Sequence, residues 1–125
     1  MSGNVKFNGW INDDGSENYK CRAWVNFNGT GTVAIRASGN VSSITDLAVG
    51  SFTVNMTSAL SDANYSVNVN SSSAFGIASI GATQLNTSSV GSQVSPTTTA
   101  LTFTCLNSAA NANVDPQFVN VAVFR

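Results

Sequence analysis

The feature that most constrains the fold is a run of alternating apolar and polar residues over 20–46, KCRAWVNFNGTGTVAIRASGNVSSITD. Cys21, Ala23, Val25 and Phe27 share one parity. Asn28-Gly29-Thr30-Gly31 then supplies residues that tolerate a tight turn, and Val33, Ile35, Ala37, Gly39 and Val41 resume the odd parity on the way back. Side chains of a strand alternate between faces, so this pattern predicts a β-hairpin and a following strand with one face in the core.

The same period recurs downstream. Phe52, Val54 and Met56 form an inward row, as do Tyr65, Val67 and Val69, and strands are expected over 74–80, 98–106 and 117–125. Gly76 interrupts the first of these, and residues 81–95 show no confident element. About eight short strands with polar turns, and no helical period of useful length, predict an all-β single domain, an antiparallel β-sandwich of jelly-roll-like type. Its expected core is Val25, Phe27, Val33, Ile35, Phe52, Val54, Tyr65, Val67, Leu101 and Phe103. Residues 1–19 hold no period and read as an N-terminal arm or attachment segment, leaving 20–125 as the sandwich. Cys21 and Cys105 both carry the parity of apolar neighbours and are expected to face inward as unbridged thiols.

Chemistry is sparse. The chain has no histidine, which removes the commonest general base and metal ligand. Asp13, Asp14 and Glu17 do not fit an EF-hand spacing and read as a solvated acidic turn. Asp46, Asp62 and Asp115 read as turn residues and not as a facing pair for glycoside cleavage. No enzymatic activity, cofactor or metal is expected. A net charge of -1 with scattered cations offers no stripe for phosphates, so no nucleic-acid partner is expected. No apolar run approaches the roughly 20 residues that span a bilayer, so membrane insertion is not expected, and the start lacks a signal-peptide pattern. Charged residues are 9% of the chain, whereas Ser, Thr and Asn fill 46 of 125 positions. Solubility therefore rests on neutral hydrogen-bonding groups. The N-x-S/T triplets that follow from this composition carry no weight.

Two features break the alternation. Phe118, Ala122 and Phe124 occupy the parity opposite to Val119, Val121 and Val123, so the last strand is apolar on both faces apart from Asn120. Trp24 stands on the polar parity of its own strand. Either the last strand lies between two covered layers or its second face is buried against another subunit, and Trp24, Phe118, Ala122 and Phe124 are the expected contact residues.

Three words carry a resemblance: residues 21–46 (CRAWVNFNGTGTVAIRASGNVSSITD), 51–67 (SFTVNMTSALSDANYSV) and 118–125 (FVNVAVFR). Together they resemble a module of bacteriophage tail-fibre and other virion proteins, of the marine and cyanobacterial phage type. The likeness covers about half the chain and is most specific at AWVNFNGTG and DANYSV. It implies a virion structural protein made in the host cytoplasm, a homotrimer among other virion proteins, and loops that differ from phage to phage. In long fibres such a module sits at the tip, after a shaft. Here it makes up nearly the whole sequence, which keeps a capsid decoration or knob protein beside a fibre tip. On the fibre reading the loop residues Ser71, Ser72, Ser73, Phe75, Asn86, Ser88 and Asn111 are expected to face a host receptor, a cell-surface glycan.

Overall fold

The computed structural model describes residue 11 and residues 13–16, 19–72, 83–85, 95–107 and 112–125, with the backbone alone at 83–85. It is an all-β, antiparallel sandwich. The strands are β1 (Cys21–Asn28), β2 (Ala34–Gly39), β3 (Val41–Ala48), β4 (Ser51–Met56), β5 (Ser66–Ser71), β6 (Thr83–Leu85), β7 (Ala100–Cys105) and β8 (Val119–Phe124). They form two four-stranded sheets, ordered β2-β1-β8-β5 and β3-β4-β7-β6. The hairpins β1-β2, β3-β4 and β6-β7 each stay within a sheet, while β2 to β3, β4 to β5, β5 to β6 and β7 to β8 change sheet. The strand expected over 74–80 lies outside the described residues. The strand β6, three residues long, lies where the alternation predicts none.

The core lies between the sheets. Phe27 from β1 meets Phe52 of β4 edge-on, with ring centroids 5.2 Å apart and an interplanar angle of 72°. Phe103 of β7, the cross-strand partner of Phe52, closes the cluster at 6.0 Å from Phe52 and 6.4 Å from Phe27. Val25, Val54, Leu101, Val119, Val121 and Val123 fill the space around the rings, and Val33, Tyr65 and Val67 pack against its margin half-buried.

Where the alternation misplaces a residue, a bulge is the cause. Between Asn26 and Phe27 the β1-β2 register slips by one residue, leaving Arg36 extra. Ala37 and Gly39 then lie on the outer face. Ile35, expected in the core, does keep the inward face opposite Phe27, but β2 is an edge strand and the side chain is 37% exposed. A second slip, between Val41 and Ser43, makes Ile44 the inward residue of β3 and leaves Ser43 and Thr45 in solvent. A third, between Cys21 and Ala23 in the β1-β8 pairing, corrects the expectation for Cys21, which is exposed. One inserted residue exchanges faces for everything beyond it, which is why these errors come in runs.

Asn40, the single residue between β2 and β3, carries the chain from one sheet to the other with φ 54°. Its Nδ2 donates to the carbonyls of Arg22 and Ser58, both at 3.1 Å, and its Oδ1 accepts the Ser58 N–H at 2.7 Å. Asn tolerates the left-handed region better than most residues, and these bonds hold it there.

Both cysteines are free. Burial pushes the Cys105 thiol up to about 11 from an ordinary 9.0, the Ser71 hydroxyl opposing and the Asp115 charge adding. The folded state thus holds a proton that the unfolded chain releases near pH 9, so stability present below that pH is lost as pH climbs to 11. The slope is at most about 1.4 kcal/mol per pH unit. Alkaline denaturation should show this decline, and Cys105→Ala should flatten it between pH 9 and 10. Above that, Tyr65, whose pKa burial also raises, adds a loss of the same sign. In the native protein a thiol reagent should modify Cys21 quickly and Cys105 only after unfolding, whereas equal rates would show that the sandwich opens freely at β7.

Candidate functional site: the open face of the first sheet

In β8 the odd residues Val119, Val121 and Val123 are buried, and Asn120, Ala122, Phe124 and, just before the strand, Phe118 point away from the core. The strand is central in its sheet, but its second face is not covered: Phe118 is 45% and Phe124 42% exposed. β1 pairs on one side so that Trp24 lies opposite Ala122 and Asn26 opposite Asn120. β5 pairs on the other side so that Asn68 lies opposite Ala122 and Asn70 opposite Asn120. Two rows thus cross three strands at matched register: Trp24, Ala122, Asn68 and, one step along, Asn26, Asn120, Asn70.

The rows are tied together. Asn26 Nδ2 donates to Asn120 Oδ1. Asn70 Nδ2 donates to Asn68 Oδ1 at 2.8 Å. Arg36, displaced outward by its bulge, places its guanidinium 4.2 Å above the Phe118 ring and donates to the Gln117 carbonyl at 2.8 Å and to Asn26 Oδ1 at 3.5 Å. That cation is therefore engaged at one end of the face. Trp24, 44% exposed, lies across Gly39 of β2. A Cβ at position 39 would stand 2.9 Å from indole Cδ1 and 3.2 Å from Cε2, so the glycine gives the ring its seat. Between Trp24 and Phe124 runs a shallow groove of about 350 Å3 with Ala122 in its floor and the amides beside it.

A second groove of about 390 Å3 lies at the end of the sandwich, lined by Arg22, Asn40, Leu60, Ser61 and Arg125. Its charges are mutually occupied. Arg125 forms a two-pronged pair with Asp62, at 2.6 and 3.0 Å, and Arg22 Nε donates to the Arg125 carbonyl at 2.7 Å. The Arg125 hydrogen bonds hold the Asp62 carboxyl below its usual range. The acidic turn closes on itself: Asp14 Oδ1 accepts from the Ser16 hydroxyl and N–H, which lowers its pKa. Among the described residues, no three His, Cys, Asp or Glu side chains come together, and no helix is long and apolar enough to cross a membrane.

The structure therefore gathers Trp24, Phe118, Ala122 and Phe124 on one face. Of the loop residues expected to face a receptor, Ser71 is buried, which corrects that expectation. The last inward position of β5 dictates this. Ser72 is half-buried and bonded to Phe118 through both its N–H, at 2.9 Å, and its Oγ, at 3.2 Å. Ser73, Phe75, Asn86, Ser88 and Asn111 lie outside the described residues. Sequence reasoning missed the four asparagines. The signal was present in V-N-V-N at 67–70 and V-N-V-A at 119–122, where an amide repeatedly takes the outward place between two core valines. Compared with protein-family models, curated proteins and solved structures, the chain finds no match.

Proposed function

We propose that the chain is a non-enzymatic surface module of a bacteriophage virion, of tail-fibre type, that recognises a receptor on the host cell. The observation that carries this reading is the open face of the first sheet. Three aromatic rings are each more than two-fifths exposed there, around a set of uncharged amides, on a sandwich whose core is otherwise closed. A soluble domain seldom leaves such a set wet unless something binds it. The resemblance of residues 21–46, 51–67 and 118–125 to virion modules supports the setting. Purified protein should compete with the phage for adsorption to host cells, and labelled particles should carry the protein at the tail. Dense labelling over the capsid with no competition would defeat the reading.

A second reading takes the same exposed rings as a subunit contact: a capsid decoration protein, homotrimeric through Trp24, Phe118, Ala122 and Phe124. Native mass measurement separates the two uses of the face. A trimer that Phe124→Ser breaks into monomers favours the second reading, and a monomer at micromolar concentration excludes it.

A further inference from the structure

We propose that the groove between Trp24 and Phe124 is a binding site for a neutral saccharide, with a pyranose ring seated over Ala122. The inference rests on the recognition reading above and moves the receptor contact from the loops to the face of a sheet.

The polarity of the face is the first argument. A protein-protein interface has an apolar centre and a polar rim. Here the order is reversed along residues 118–124, where Phe118 and Phe124 stand at the ends and Asn120 and Ala122 between them. A second copy of the chain docked on this surface would bury the amides at its centre, at a cost for every one left unpaired. A polyhydroxyl ligand matches them instead.

The hydrogen-bonding inventory is the second. An amide offers two donor hydrogens and an acceptor oxygen. Bonds within the face engage Asn26 Nδ2, Asn120 Oδ1, Asn70 Nδ2 and Asn68 Oδ1. Asn120 Nδ2, Asn68 Nδ2 and Asn70 Oδ1 have no partner among the described residues. Donors and an acceptor thus stand together on neighbouring strands, the mixed set that vicinal hydroxyls require. Among the described residues no carboxylate lines the groove, and the nearby cation, Arg36, is engaged by Phe118, Gln117 and Asn26. The ligand that fits is uncharged.

Shape is the third. Ala122 is the smallest side chain of its row and leaves a floor, with Trp24 on one flank and Asn68 on the other. The indole already lies against Gly39, and a ring placed in advance loses less freedom on binding. A sugar presents C–H groups on one face and hydroxyls at its edges. An aromatic ring with a negative face meets the first, and the amides meet the second.

The test uses isotope-labelled whole chain and hexaoses of glucose, galactose, mannose and N-acetylglucosamine, with a sialylated oligosaccharide as the charged comparison. One or more neutral hexaoses at millimolar concentration should shift the side-chain amide signals of Asn68, Asn70 and Asn120, and the sialylated probe should not bind more tightly. Trp24→Ala should weaken binding at least about tenfold, the scale of one aromatic contact. Ala122→Leu, which fills the floor on an outward position, should abolish it while the backbone amide spectrum keeps its dispersion. If Trp24→Ala fails to fold for want of its contact with Gly39, Ala122→Leu and Asn68→Ala carry the test.

No shift with any neutral hexaose overturns the proposal. So does binding that Ala122→Leu leaves intact, or asparagine shifts that follow protein concentration alone, which would mark a subunit contact. Failure here with host-cell competition preserved removes the site and leaves the recognition function, whereas saccharide binding without competition removes the function and leaves the site.

Discussion

Replacing Phe52 by alanine should cost about 3–5 kcal/mol of folding stability, the range for deleting a large aromatic side chain from a closed core. Phe52 has no solvent exposure and is the ring through which the two sheets meet, in contact with Phe27 across the sandwich and Phe103 beside it. It also lies beneath the turn after β1. A Cβ at Gly29 would approach Phe52 Cζ to 2.9 Å, and the Gly29 N–H donates to the carbonyl of buried Pro116 at 2.9 Å. Truncation therefore leaves a void bounded by two rings and by backbone that is itself hydrogen-bonded, so the surroundings cannot collapse far. For a domain of this size a loss near 4 kcal/mol corresponds to about 15 °C in melting temperature. Phe52→Leu, which retains most of the volume, should cost under half as much. Thermal and urea unfolding read both variants. A Phe52→Ala loss below about 1 kcal/mol would show that the ring cluster is not the centre of the core.

That cluster was legible in the sequence because its members stand on the regular parts of paired strands, where parity survives. Val25, Phe27, Phe52, Val54, Leu101 and Phe103 are all essentially buried. Ile35 keeps the expected inward face opposite Phe27 and is exposed because β2 is an edge strand, but Ala37, Gly39, Cys21 and the inward residue of β3 were not legible. Their faces depend on bulges at Asn26/Phe27, Cys21/Ala23 and Val41/Ser43, and a bulge is set by which strand pairs with which. Alternation along one strand cannot report that pairing.

The candidate site divides in the same way. Trp24 and Phe124 stood out because an aromatic on the polar parity is unexpected anywhere in the chain. The asparagines did not, because an outward Asn is ordinary in a chain so rich in amides. What makes Asn26, Asn120 and Asn70 a row is the pairing of β8 with both β1 and β5, which joins residues 50 to 94 positions apart. Contacts at that separation are written in no local pattern.

Gly50→Ala should destabilise the fold on the scale of the core truncation, though it adds one methyl group and removes none. Gly50 ends the β3-β4 turn at φ +72°, a region that costs an L side chain about 1–2 kcal/mol. Two stretches of backbone, the end of β7 at Cys105 and the segment at Val114, close around it. The Cys105 N–H donates to the Gly50 carbonyl at 2.7 Å, the Gly50 N–H donates to Asp115 Oδ1 at 2.6 Å, and the Val114 N–H donates to the Cys105 carbonyl at 3.0 Å. A Cβ there would meet the Cys105 carbonyl oxygen at 2.6 Å, the Val114 oxygen at 2.7 Å and the Val114 nitrogen at 2.8 Å. Each obstacle is backbone, so no side chain can swing aside. Relief requires parting the turn from β7 or from the segment before β8, with loss of hydrogen bonds worth roughly 1 kcal/mol apiece. The combined loss is about 3–5 kcal/mol, measurable by urea unfolding. Hydrogen exchange supplies the local signature: the amides of Cys105 and Val114 should lose protection first, while those of Val121 and Val123 in the other sheet keep theirs. Asp115→Asn, which retains an acceptor for the Gly50 N–H, should cost far less. A Gly50→Ala protein within about 0.5 kcal/mol of the parent would show that the clamp yields, because backbone packed this closely has no inexpensive way to admit a methyl group.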